Sequence, residues 1–238
     1  GAQSSVGQSF LQVDETHESI VNATVNILES SKELEYKGKL FFANSGEIYG
    51  ETVMPASTST PLNPKSPYGI AKACSLNYVS FYRETYNLNS VSGILFNHES
   101  ILRPDKFVTK KIILNAIKCL KDSNHKLRVG NISISRDWGW APEYIEAMQA
   151  ITRAKTLNDQ IICTGTLTKL QDFIRITFYK LGLNWENHVE IDKQFYRSGE
   201  ISKNHGNPLG IEKELGWKAE LDVDEIIDKM INYEINKI

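Results

Sequence analysis

An apolar run, Leu40-Phe41-Phe42-Ala43, breaks off into small and polar residues, Asn44-Ser45-Gly46-Glu47. A strand that is apolar on both faces reads as a buried parallel strand, and parallel strands require crossover connections, mostly helical. The polar residues that end it are delivered to the carboxyl edge of such a sheet, where ligands of open α/β folds bind. A helix is predicted to follow. Pro67 stands where a helix can start, and Tyr68 and Lys72 then stack on one face, one turn apart. An ammonium held near a phenol favours the phenolate, which would lower the pKa of Tyr68 and suit it to take and return a proton. A Tyr-x-x-x-Lys pair alone is a weak signal. A helix that merely carries both residues is the commoner outcome, and the strand that ends in Ser45 and Glu47 is what raises its weight.

A second apolar strand over Val91–Phe96 ends at Asn97-His98-Glu99-Ser100, again at a carboxyl edge. Helices are predicted over Asp14–Lys37 (capped by Asp14 or Thr16, ended by Gly38), Tyr68–Tyr86, Phe107–Lys121, Pro142–Ala154, Leu170–Leu181 and from Asp222 to the end. On the Tyr68 helix, Leu76, Val79, Phe81 and Tyr82 are assigned to buried faces. Short strands are predicted over Lys126–Val129 and Gln160–Thr164. Residues 51–67, rich in Pro, Ser and Thr, and residues 184–210 read as loops.

The chain has 238 residues, 41% of them apolar, and a net charge of −2. That is enough for one large or two small domains with a substantial core. Near-neutral charge without a basic block argues against nucleic acid as a main partner. Cys74, Cys119 and Cys163 form neither a disulfide framework nor a zinc spacing, and the histidines show no metal-ligand spacing. No apolar run reaches the ~20 residues that span a membrane, and no signal peptide opens the sequence, so a cytoplasmic protein is expected.

The strand ending in Ser45-x-Glu47-x-Tyr49-Gly50, with Ser66-Pro67-Tyr68-x-x-x-Lys72, resembles the extended short-chain dehydrogenase/reductase family. Gly93-Ile94-Leu95-Phe96-Asn97-His98-Glu99-Ser100, Phe107-Val108-Thr109-Lys110-Lys111-Ile112 and Arg136-Asp137-Trp138-Gly139 resemble the GDP-mannose 4,6-dehydratase branch of it. The resemblance runs from Gly1 to about Lys218. It implies a Rossmann-type doubly wound parallel sheet, incomplete here, with a smaller α/β substrate-binding domain. Residues 1–100 would form the remaining part of the cofactor domain, and residues 101–238 mainly the substrate domain, with some return to the sheet.

The family reaction implied is an internal redox cycle. Hydride leaves C4 of the hexose for the nicotinamide, the ketone acidifies the C5 proton, water is lost from C5/C6, and hydride returns to C6. By resemblance Tyr68 is the base at O4, Ser45 hydrogen-bonds O4, Lys72 tunes Tyr68 and binds the nicotinamide ribose, and Glu47 is the C5 base. The cofactor, NADP or NAD, would contact Ala2, Gln3, Ser4, Tyr68, Lys72, His98 and Arg103. The GDP-sugar would contact Asn97, Val108, Lys111, Arg136 and Arg197. GDP-mannose and a GDP-linked manno-heptose are equally compatible substrates. The first helices imply pairing with a second copy, as a homodimer or homotetramer.

Two departures from the pattern stand out. Gly46 replaces the serine or aspartate usual between the hydroxyl residue and Glu47, which removes a side chain that could protonate the leaving group. Gly1-Ala2-Gln3-Ser4 also reads as the loop after a strand, and neither a Gly-x-Gly-x-x-Gly turn nor a P-loop occurs. At about 30 residues per strand–helix–strand unit, two or three units, on the order of 60–90 residues, are expected ahead of it. Two other readings therefore stand beside the dehydratase: a related GDP-sugar C4 oxidoreductase or epimerase, and a truncated member that binds GDP-sugar without turnover.

Overall fold

The computed structural model describes residues 2–196 and 199–237. The chain opens with α1 (Val6–Ser9), capped by the Ser5 hydroxyl, and α2 (Val13–His17), which passes through one π-helical stretch, Glu18–Asn22, into α3 (Ala23–Glu33). The single helix expected over 14–37 is thus a composite. Neither Asp14 nor Thr16 caps it, and it ends before Gly38, with Glu35 in the left-handed region at φ 48°. Next come β1 (Leu40–Ser45), a 3₁₀ turn over Gly46–Tyr49, and α4 (Pro67–Tyr86), with Ser66 as N-cap accepting from the Gly69 amide at 3.0 Å. β2 (Ser90–Leu95) is buried at every position. β3 (Asn97–Glu99) and α5 (Val108–Lys121) follow, then β4 (Leu127–Val129), β5 (Ser135–Arg136), β6 (Trp138–Trp140) and α6 (Ala141–Arg153).

β7 (Gln160–Ile162), β8 (Thr168–Lys169) and α7 (Leu170–Lys180) lead into the stretch read from sequence as loop. That stretch holds β9 (Val189–Ile191), 3₁₀ turns over Trp185–Asn187 and Lys193–Phe195, β10 (Lys203–Asn204) and the start of α8 (Leu209–Leu215). These strands are two or three residues long, too short for alternation to show, and they exist through pairing with distant partners. The last helix, α9 (Val223–Ile235), opens on a capping box: Asp222 accepts from the Glu225 amide, and the Glu225 carboxylate accepts from the Asp222 amide.

The central sheet is parallel in the order β1-β2-β7, with Ser45 opposite Leu95 and Leu95 opposite Ile162, so three strand ends converge at one edge. β3 and β6 pair in parallel just beyond it, His98 opposite Gly139. β4 pairs with β9, and β5 lies between β10 and β8. One core cluster gathers Ile112, Ile113, Phe173, Phe178, Ile226 and Met230 from α5, α7 and α9. Smaller clusters pack Ile94 and Phe96 against Ile48 and Tyr49, and Leu95 against Tyr144 and Trp217. On α4, Val79 and Tyr82 are buried as expected and Leu76 is half-buried. Phe81 is 48% exposed, because it stands on the side of the helix away from the sheet.

Candidate active site

Ser45 leaves β1 in extended geometry, and its hydroxyl accepts from the Glu47 amide at 3.3 Å, which starts the 3₁₀ turn. Asn44, 4% exposed, holds this end to α4: its Nδ2 donates to the Lys72 carbonyl at 3.0 Å while its Oδ1 accepts from the Ser45 amide at 2.8 Å. From far along the chain, Asn204 Nδ2 donates to the Gly46 carbonyl at 3.0 Å and the Gly50 carbonyl at 2.8 Å, clamping the turn from below. Gly69 lets α4 approach this turn closely: a Cβ there would lie 2.9 Å from the Glu47 carbonyl oxygen and 3.0 Å from Pro64. The motif residues on the strand and on the helix therefore meet because glycine separates them.

A cavity of about 450 Å³ opens at this edge. Ser45, Glu47, Tyr68, His98 and Arg103 line it, with Ser4 from the first turn, Asn97 and Val108, and Lys111 and Arg136 farther along. Ala2, Gln3 and Lys72 do not line it. Gln3 is engaged with the Ser5 carbonyl at 2.9 Å and the Thr16 hydroxyl at 3.2 Å, and Ala2 is exposed. Arg197 lies outside the described residues. Lining residues that the sequence reading passed over are Lys65, Glu99, Lys106, Phe195, Glu200 and Asn204. Glu99 could have been found, since it stands between His98 and Ser100 at a strand end. Glu200 and Asn204 belong to the stretch taken for loop.

The electrostatics differ from the expectation for the Tyr/Lys pair. Burial pushes the Tyr68 phenol up to about 12; hydrogen bonding from Ser45 draws it down, the Glu47 carboxylate raises it further, and the Arg103 charge lowers it. Lys72 reaches to 5.8 Å from the Tyr68 ring centre, and its ammonium donates to the Ala43 carbonyl at 2.7 Å. Burial brings Lys72 down to about 8. The depressed phenol pKa expected from the spacing is thus absent: desolvation outweighs a cation whose hydrogen bond goes to the backbone. His98, half-buried and 5.2 Å from Tyr144 between ring centres, is held below the usual imidazole range by desolvation and bonds the Phe96 carbonyl through Nδ1 at 2.9 Å. Gly46 has the Phe96 ring beside it: a Cβ at 46 would meet Phe96 Cε1 at 2.7 Å.

At the far end, Lys111 donates to the Arg128 carbonyl at 2.6 Å and lies 4.1 Å over the Phe195 ring. Arg128 pairs with Asp192 at 2.7 Å, and Arg136 Nη1 donates to the Ser135 carbonyl at 2.9 Å. Among the described residues no cluster of metal-ligating side chains occurs, and no helix is long and apolar enough to cross a membrane.

The family model described as GDP-mannose 4,6 dehydratase matches residues 1–230. The chain belongs to the GDP-mannose 4,6-dehydratase family. Its Arabidopsis thaliana relative, GDP-mannose 4,6 dehydratase 1, is 34% identical over 98% of this chain, and the chain spans 66% of that relative's length. Among solved structures, RMD from Pseudomonas aeruginosa complexed with NADPH superposes with a TM-score of 0.89 at 19% identity, covering 100% of this chain and 80% of that one. The UDP-glucose 4-epimerase of Thermus thermophilus in complex with NAD gives 0.87 at 23% identity, covering 100% of this chain and 76% of that one. The likeness to both structures establishes the fold, a Rossmann-type α/β arrangement with parallel sheets, as the motifs implied.

Proposed function

We propose that the protein is a nucleotide-sugar 4,6-dehydratase that converts GDP-mannose, or a GDP-linked relative such as a manno-heptose, to the 4-keto-6-deoxy sugar. The observation that carries this reading is the meeting of Ser45, Glu47 and Tyr68 in one cavity that Lys111 and Arg136 also line. A hexose needs a proton acceptor at O4 and a second at C5, and a diphosphate needs fixed cations at some distance from both.

Tyr68, with the Ser45 hydroxyl beside it, takes the O4 proton. Glu47 takes the C5 proton and, with no side chain at Gly46 to share the task, delivers a proton to the departing O6 oxygen. Lys111 and Arg136 hold the diphosphate, and Asn97 and Val108 border the sugar–nucleotide path, with Arg197 assigned to the same end. The donors beside Tyr68 suit a nicotinamide nucleotide: a phenol and a serine hydroxyl line the cavity next to Val6 and Phe96 and would meet the hydroxyls of a ribose, and Lys72, one helical turn on, would join them by giving up its bond to the Ala43 carbonyl. Tyr68, Lys72, His98, Arg103 and the Ala2-Gln3-Ser4 stretch would hold it. Bound NADP, or NAD, supplies the acceptor for the C4 hydride and its donor at C6.

The reading extends to organisation. Residues 1–100 are assigned to the cofactor domain and 101–238 mainly to the substrate domain, in line with the separate cluster that α5, α7 and α9 form. The exposed apolar side chains of α3 and α4, Ile27, Ile70, Tyr78 and Phe81, suit a homodimer or homotetramer in the cytoplasm. Incubating the full-length protein with GDP-mannose and NADP, and following the sugar by NMR, tests the reading: a 4-keto-6-deoxy product supports it. A C4-epimerised product would instead establish the oxidoreductase or epimerase reading, which Gly46 and the Phe96 ring packed on it favour. Binding of both GDP-mannose and a GDP-linked manno-heptose without turnover of either would establish the non-catalytic one.

A further inference from the structure

Of the carboxylates lining the cavity among the described residues, Glu47, Glu99 and Glu200, only Glu99 is buried, at 1% exposure. It ends β3, where pairing with Trp140 of β6 sets its backbone. Its cation is Arg103, whose Nε lies 3.2 Å from Glu99 Oε2; the contact is an ion pair without hydrogen-bond alignment. A buried carboxylate is costly unless paired, so this contact holds both partners. The guanidinium of Arg103 also lies 3.7 Å over the Phe107 ring, so it is held at one edge and on one face.

The segment between them is anchored as well. The Arg103 amide donates to the Ser100 carbonyl at 3.1 Å and the Phe107 amide to the Pro104 carbonyl at 3.1 Å. Lys110, buried and paired with Glu234 of α9, donates to the Ile101 carbonyl at 3.0 Å. So held, Arg103 is the cation whose charge lowers the Tyr68 phenol, against the Glu47 carboxylate that raises it; Thr109 is the other group on Glu99.

We propose that Glu99 is a positioning residue of the cavity: it fixes the Arg103 guanidinium against Phe107, in the cavity that Tyr68 also lines. The role rests on the reading of Tyr68 as proton acceptor, and it has a distinct electrostatic sign. A carboxylate that only added negative charge near Tyr68 would, when removed, ease ionisation of the phenol. A carboxylate that holds Arg103 in place would, when removed, hinder it.

The test places a difluorotyrosine, whose phenol ionises at lower pH than tyrosine's, at position 68 of the full-length protein and titrates it by fluorine NMR without cofactor or substrate. Glu99→Gln and Arg103→Lys are each expected to leave about tenfold less phenolate at a given pH, one unit of pKa, and the double variant no less than either alone. Arg103→Lys is the second arm because it keeps the charge and loses the planar fork. It decides the matter if Glu99→Gln does not fold by circular dichroism. A lowered or unchanged pKa in Glu99→Gln, or a wild-type pKa in Arg103→Lys, overturns the proposal. Failure of the dehydratase reading appears separately, as absence of GDP-mannose turnover by the wild-type protein.

Discussion

The two ends of the cavity are built in different ways. At the reacting end, side chains leave the last residue of a parallel edge strand, half-buried rather than buried on both faces as its apolar run predicts, and the first turn of a capped helix, and buried side-chain amides hold both. At the far end, Lys111 and Arg136 stand on α5 and on a two-residue strand, among partners such as Arg128, which is largely exposed, and the ring of Phe195. The reacting end places proton-transferring groups where desolvation dominates their pKa values. Around Lys111 desolvation is weaker: burial and the Arg128 charge draw the half-buried ammonium down while Asp192 raises it, and a ligand that brings negative charge would favour the ammonium further. Groups that must change protonation gain from burial, whereas groups that must stay ionised are better left partly solvated.

The largest expected effect breaks or confirms the first half of that contrast. Tyr68→Phe should lower the rate of 4-keto sugar formation by roughly 10²–10⁴, with the KM for GDP-mannose near wild type; a variant that keeps its rate would remove Tyr68 from the chemistry. Next comes the buried Lys110–Glu234 pair, which anchors the loop through Arg103. Breaking the buried pair with Lys110→Met should cost about 3–5 kcal/mol of unfolding free energy, read by urea titration, and Lys110→Met/Glu234→Leu should recover much of it.

A smaller effect follows from the burial of Glu99, which raises its carboxyl to about 6 from 4.5. Between those values the unfolded chain has lost the proton and the folded chain still holds it, so stability from this group falls as pH rises through the window. Relative to wild type, Glu99→Gln should therefore gain roughly 2 kcal/mol between about pH 4 and pH 7. A flat difference would mean that Glu99 is not desolvated as described. The smallest effect sharpens the far end. Lys111→Met should weaken GDP binding about tenfold, ~1.4 kcal/mol, by calorimetry, with kcat for GDP-mannose little changed. A fall in kcat alone would put Lys111 in the chemistry instead.

Much of the reacting end was legible in the chain itself. The apolar run into Ser45 and Glu47, the Pro67 start with Tyr68 and Lys72 a turn apart, and the buried strand expected over Val91–Phe96 sit where the sequence places them, although Asn97–Glu99 forms a strand of its own. These are local properties, set by short apolar runs and by a proline that can open a helix. Less legible was the sign of the Tyr68 shift. Spacing puts Lys72 near the phenol, but it does not reveal that the ammonium bonds Ala43 or how deeply Tyr68 is buried.

What the sequence determined alone, then, is the strand–turn–helix that presents Ser45, Glu47 and Tyr68, the start of the last helix near Asp222 and, through ordered motifs, the family. Only the tertiary structure decided that Asn204 clamps the Gly46–Gly50 turn, that Lys110 finds Glu234, that β9 and β10 exist, and that Glu99 holds Arg103. Most of these contacts join residues far apart along the chain. Glu99 and Arg103, though a short step apart, are paired by a turn closed on the Ser100 carbonyl rather than by helical spacing. Strands of two or three residues carry no readable period, and a buried ion pair or amide clamp is specified by what surrounds it once the chain has folded.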